Sequence, residues 1–201
     1  MKIYIDLDDT LADTSLTIQK LFNYKEYCLN HHPIKKSFTD VLKDIKTWNY
    51  IKSNPQFWSN LPLSQFAQKI YQEACLITDE VYILTALPKA VFPLKNFKFK
   101  QAEDAKRVWL KSNFPNISSD KIIVCYAKEK HFQVLKNQEN LCVLIDDSWR
   151  NILRWKNAGG LAIEVNNQDK DLSTVFKKLD YIKNYSNHKS KLLSDFSFSF
   201  K

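Results

Sequence analysis

Five short runs of apolar and β-branched residues, at 2–7, 81–84, 122–125, 141–145 and 161–165, punctuate the chain. Runs of this length bounded by polar residues read as strands. Between them the apolar period becomes helical. Thr14 to Tyr27 sets Leu16, Ile18, Leu21 and Phe22 at helical spacing, and Ser64 to Cys75 sets Phe66, Ala67, Ile70, Tyr71 and Ala74 on one side. Further helices are expected at about 101–113, from Ser148 to Asn157, and over 172–184. Strands alternating with helices imply a mainly parallel sheet with helices on both faces.

More than 70 residues separate the first two runs, far more than a crossover connection requires. This excess is helical and aromatic. His31-His32-Pro33 ends its first segment, and Ser37-Phe38-Thr39-Asp40 opens another with Val41, Leu42 and Ile45 on one face. Trp48, Tyr50 and the segment Asn54-Pro55-Gln56-Phe57-Trp58 follow. The insertion reads as a small helical cap over 14–76, with 1–13 and 77–184 forming the α/β core. The Ser- and Lys-rich tail over 185–201 is expected to fray.

The ends of the runs carry the chemistry. The first closes on Asp6 and Asp8, two positions apart and therefore on the same side of an extended chain. Two carboxylates held this close repel one another, and burial raises the cost. A cation, or a division into nucleophile and proton carrier, resolves the conflict. Thr85 follows the second run, Lys128 and Lys130 the third, and Asp146 and Asp147 the fourth. In a parallel sheet these ends lie along one edge. Carboxylates without accompanying histidines suit a hard cation such as Mg²⁺. A lysine and a hydroxyl beside them suit a phosphoryl group.

Composition narrows the partners. Thirty basic against 22 acidic residues give a net charge of +8, which steers anionic substrates and also favours nucleic acid. The segment 89–100 adds Lys89, Lys95, Lys98 and Lys100 with Phe92, Phe97 and Phe99. It reads either as a track for a polynucleotide or as a solvated basic loop anchored by buried rings. Only two glycines occur, which excludes a glycine-rich phosphate loop. The four cysteines form no CxxC or zinc pattern, and Cys75, Cys125 and Cys142 read as buried thiols suited to a reducing cytosol. No stretch approaches the ~20 apolar residues of a membrane span, and the start of the chain reads as a strand rather than a leader. A cytoplasmic protein is expected.

The ordered set resembles the haloacid dehalogenase (HAD) superfamily. Asp6-Leu-Asp8-Asp9-Thr10 matches its DxDx[TV] motif, Ile83-Leu-Thr85 its second, Lys130 or Lys128 its lysine, and Leu144-Ile-Asp146-Asp147 its closing acids. The resemblance implies a Rossmann-like three-layer α/β/α core and assigns roles. Asp6 attacks phosphorus and carries an aspartyl-phosphate. Asp8 protonates the leaving oxygen and later deprotonates water, with Thr10 helping to hold it. Mg²⁺ is held by Asp6, the backbone carbonyl of Asp8, Asp146 and Asp147, and Thr85 and Lys130 bind the phosphoryl oxygens.

Within the superfamily, several segments resemble 5′(3′)-deoxyribonucleotidases. Asp6 to Asp13 resembles their DMDGVLAD, Asn54 to Pro62 their PGFFxxLxP, Ala127 to His131 their RDKT, Leu144 to Ile152 their LIDDRxxNI, and Asn157 to Gly160 their KAGG. The RDKT match favours Lys130 over Lys128. Asp9-Thr10 stands where they show Gly-Val, Gln56 replaces a Gly, and Ala86 replaces a Ser. The resemblance implies (deoxy)nucleoside monophosphates as substrates, with Phe57 or Trp58 stacking on the base; a place for such rings in the cap's own core is the alternative. Arg150 is placed to reach phosphate or to lie in solvent. A phosphatase of polynucleotide ends, a phosphoprotein phosphatase (Asp6 to Leu11 is similar to the DLDETL of carboxyl-terminal-domain phosphatases) and a non-catalytic binding module are the other readings.

Overall fold

The computed structural model describes residues 1–22, 45–51, 54–87, 99–166 and 172–185. Cys28, the His31-His32-Pro33 break, the helical start at Ser37–Asp40 with Val41 and Leu42, most of the basic segment 89–100 and the tail beyond 185 lie outside the described residues.

Five strands form one sheet: β1 (Lys2–Ile5), β2 (Val81–Leu87), β3 (Ile122–Tyr126), β4 (Cys142–Asp146) and β5 (Leu161–Glu164). Their order is β3-β2-β1-β4-β5, and every pairing is parallel. The chain runs outward from β1 through β2 to β3, then returns to β4 on the other side of β1. The carboxyl ends of β1 and β4 therefore flank the point where strand order reverses, which is where open α/β sheets open a crevice.

The helices are α1 (Thr14–Phe22), a helical stretch α2 over 45–51, α3 (Pro55–Ser59), α4 (Ala67–Ile77), α5 (Phe99–Asn113), α6 (Phe132–Lys136), α7 (Trp149–Asn157) and α8 (Ser173–Tyr185). Alternation along the strands sorts them into two layers. Ile3, Ile5, Ile83, Val143, Ile145 and Ile163 face a core completed by Ala67, Ile70 and Ala74 of α4, Trp109 and Leu110 of α5, and Leu179 and Ile182 of α8. Their neighbours Tyr4, Leu84, Cys142, Leu144 and Ala162 face the opposite way, onto Val134 of α6 and Ile152 and Trp155 of α7. The result is the Rossmann-like three-layer architecture expected from the sequence. Helix α4, which lies within the segment expected to form the cap, packs beside α8 on the sheet core.

Local chemistry fixes the shorter elements. Asn54 caps α3 by accepting the Gln56 N–H at 3.1 Å, and Pro55 takes the first helical position, where no N–H is needed. Helix α7 ends in a Schellman turn: Gly159 N–H donates to Lys156 O at 2.9 Å and Gly160 N–H to Trp155 O at 3.1 Å. Gly159 takes φ of +91° there, the left-handed conformation that favours glycine.

Some boundaries differ from expectation. The second strand continues two residues past Thr85, because Ala86 and Leu87 still pair with Cys125 and Tyr126. Helix α6 was not expected; five residues are too few to show a period. Leu16 and Leu21 are exposed on α1 while Ile18 is buried. Cys142 is buried as expected, Cys125 is half-buried, and Cys75 is exposed on the outer side of α4. Among the described residues no helix is long and apolar enough to cross a membrane.

Candidate active site

Four strand ends meet at the crevice. Asp6 follows β1 directly and is buried, and its Oδ1 accepts the Leu7 N–H at 2.7 Å. Asp146 is the last residue of β4 and is fully buried. Between them stands Lys130, 1% exposed, with its ammonium 2.7 Å from Asp6 Oδ1 and 2.7 Å from Asp146 Oδ2. Lys128 is exposed. Lys130, favoured in the sequence, is thus the lysine that reaches the acids.

Asp146 is held from its other side. Its Oδ1 accepts the Ser148 N–H at 2.9 Å, and the Asn151 amide stands 3.1 Å from both carboxylate oxygens. Asn151, on the first turns of α7, was not among the expected site residues. Its only signal was its place in the Leu144–Ile152 segment.

Asp8 points to a second lysine. Its Oδ1 accepts the Thr14 hydroxyl at 3.1 Å, and its Oδ2 lies 2.5 Å from Lys106 Nζ. Lys106 is wholly buried on α5. Its ammonium also donates to Thr85 Oγ1 at 3.0 Å and to the Ala86 carbonyl at 2.8 Å, and it lies 4.4 Å from the centre of the Trp58 ring. Thr10, expected to steady Asp8, has a buried hydroxyl with no hydrogen-bond partner among the described residues. Thr14, the first residue of α1, fills that place.

Asp9 adopts φ of +55°, and its carboxylate accepts both the backbone N–H of Ser15, at 2.7 Å, and the Ser15 hydroxyl. A side-chain cap on α1 offsets the strain of a non-glycine residue in this conformation.

The electrostatics follow from burial. Loss of water pushes the Asp6 carboxyl up to about 7; Lys130 opposes this, while Asp146 and Asp8 reinforce it. Burial works against the Lys130 ammonium, but Asp146 and Asp6 outweigh it and raise its pKa. The two shifts pull in opposite senses for an ion pair, since a raised Asp6 favours the neutral acid. Among the described residues four carboxylates (Asp6, Asp8, Asp146, Asp147) share this crevice with two ammonium groups, and Asp9 lies alongside.

Oxygens of Asp6, Asp146 and Asp147 lie within 4.8 Å of one another. Three hard oxygen donors at this spacing fit a divalent cation of the Mg²⁺ type. The Asp8 carboxylate stands apart from this trio, on Lys106.

The remaining expected residues fall outside this cluster of bonds. Phe57 and Trp58 are 5% and 3% exposed and pack edge to face, their centroids 5.0 Å apart, within the main core. Neither presents an open face for a base to stack on. Trp58 reaches the site through Lys106. Trp48 packs partly buried against the same core. Arg150 is exposed and lies over the Trp149 ring, 5.1 Å from its centre. Of the basic segment, Lys100 is exposed and Lys89, Lys95 and Lys98 lie outside the described residues.

No family model matches the chain. A curated relative, a 5′(3′)-deoxyribonucleotidase of Clostridium acetobutylicum, is 30% identical, and the match covers 76% of each chain. A solved HAD family enzyme from Bacteroides thetaiotaomicron, an aspartate-to-alanine mutant in complex with magnesium and inorganic phosphate, aligns at 10% identity with a TM-score of 0.45. That alignment covers 88% of this chain and 98% of the solved one.

Proposed function

The chain belongs to the 5′(3′)-deoxyribonucleotidase family of HAD-type phosphatases, and from that premise we propose that it hydrolyses (deoxy)nucleoside monophosphates through a phosphorylated Asp6. The observation that carries this reading is the lysine bridge, in which one buried ammonium bonds both Asp6 and Asp146 at the sheet's switch point.

A carboxylate oxygen of Asp6 attacks phosphorus, and the bond from phosphorus to the ester oxygen breaks. Asp8 gives its proton to that departing oxygen, releasing the nucleoside. Asp8 then takes a proton from water as the water oxygen attacks the same phosphorus. The bond to Asp6 breaks, inorganic phosphate leaves, and both aspartates return to their starting states. Lys130 and the Thr85 hydroxyl hold the phosphoryl oxygens during both displacements. Lys106 donates to Thr85 Oγ1, so the hydroxyl proton of Thr85 is left to point at phosphate. Asp6, Asp146, Asp147 and the backbone carbonyl of Asp8 hold Mg²⁺, which when bound screens the repulsion between nucleophile and phosphate.

Phe57 and Trp58 are buried in the main core, with the Trp58 ring over Lys106, and so support the site rather than offer a stacking face. The test is phosphate release in Mg²⁺ from 5′- and 3′-nucleotides, sugar phosphates, phosphopeptides and 5′- or 3′-phosphorylated oligonucleotides. Turnover of mononucleotides ahead of the others supports the reading. Turnover confined to oligonucleotides overturns it.

A further inference from the structure

Lys106 is a fully buried lysine whose part in the reaction, as derived so far, is to orient the Thr85 hydroxyl. It lies on the inner stripe of α5 among Ala102, Ala105, Trp109 and Leu110, all buried. A lysine inside such a stripe carries a large desolvation cost unless its charge is paired and its protons are bonded. Here the pairing is complete. Until it takes up the proton it delivers, Asp8 supplies the counter-charge; Thr85 and Ala86 accept the remaining protons, and the Trp58 ring covers the ammonium.

We propose that Lys106 is a positioning residue for Asp8, fixing the orientation from which that carboxyl group delivers its proton to the leaving oxygen. The Asp8 side chain is 16% exposed at the crevice, and its other oxygen accepts the Thr14 hydroxyl. The carboxyl group is thus held at both oxygens, by α5 and α1. A general acid must sit within hydrogen-bond reach of the oxygen it protonates, so this restraint is worth part of the 10²–10⁴-fold that such catalysis contributes. The inference rests on the reading of Asp8 as proton carrier.

The experiment separates proton delivery from phosphoryl binding by the leaving group. A nucleoside leaves as an alkoxide and needs the proton; p-nitrophenolate does not. The ratio kcat/KM covers steps only up to departure of the leaving group, so the later attack of water does not enter. Wild type, Lys106→Met, Lys106→Arg, Thr14→Val and Asp8→Asn are compared with saturating Mg²⁺ on a deoxynucleoside 5′-monophosphate and on p-nitrophenyl phosphate, with thermal melts alongside. Lys106→Met and Thr14→Val are expected to lose at least about tenfold more on the nucleotide than on p-nitrophenyl phosphate, with Lys106→Arg in between. Thr14→Val carries the comparison should Lys106→Met fail to fold. Equal losses on both substrates, or none, overturn the role of Lys106. If Asp8→Asn shows the leaving-group dependence and the other variants do not, the positioning role alone fails. If Asp8→Asn also lacks it, the reading of Asp8 fails and takes the inference with it.

Discussion

The ammonium of Lys130 stands 2.7 Å from Asp6 Oδ1, both groups buried. The same nitrogen bonds Asp146, so one side chain offsets two buried negative charges on adjacent strands. Removing one partner of such a pair leaves the others uncompensated and costs about 3–5 kcal/mol. Lys130→Met is expected to lower the unfolding free energy by that order, measured by urea denaturation in chelator. Added Mg²⁺ recovers part of the loss, because a cation that binds only the folded state stabilises it.

Asn151 holds both oxygens of Asp146. Partners of this kind orient a metal-binding carboxylate, and their loss weakens metal affinity by roughly ten- to a hundredfold. Asn151→Ala is expected to show that weakening for Mg²⁺ by titration calorimetry.

Asp9 provides a pH dependence. Burial raises its carboxyl to about 6, against the pull of the Ser15 hydrogen bonds. The unfolded chain releases this proton more readily than the folded one. The group's contribution to stability is therefore fully present below about pH 4 and is lost as the pH climbs to about 6. Asp9→Asn retains an acceptor for the Ser15 N–H and carries no such proton. Its stability relative to the parent is expected to rise between pH 4 and pH 6, by about 3 kcal/mol at 1.36 kcal/mol per pH unit, and to stay level above that. Guanidinium unfolding in chelator across this range measures it.

Gly160 faces the Trp155 ring. A Cβ there would stand 2.3 Å from Trp155 Nε1, which now donates to the Cys142 carbonyl at 3.3 Å. Trp155 is fully buried and has little room to shift. Gly160→Ala is expected to cost about 1–3 kcal/mol, the range for overpacking, and to lower the melting temperature without changing the Mg²⁺ affinity.

The parallel sheet was legible because each strand is a short apolar run and each strand end carries a polar group. Asp6 and Asp146 announced themselves in that way, whereas the strand end left Lys128 and Lys130 open and the family resemblance favoured Lys130. Thr85 was placed just beyond its strand, since the polar hydroxyl masks a pairing that runs on to Leu87. Lys106 was not legible: a helical lysine in a basic chain reads as solvated. Its flanking stripe of Ala102, Ala105, Trp109 and Leu110 was the available sign that it points inward. Thr14 was hidden because a helix start reads as a cap, whereas its hydroxyl reaches back six residues to Asp8. Cys75 looked buried by composition, yet α4 turns it outward while Ala74 and Ile70 face the core.

The most direct test of the account is phosphate release from a deoxynucleoside 5′-monophosphate in Mg²⁺ by the wild-type chain and by Asp6→Asn, side by side. The wild type is expected to turn the nucleotide over and Asp6→Asn to fall by at least about 10³-fold, as loss of a nucleophile does. Asp6→Asn retaining activity near that of the wild type would contradict it.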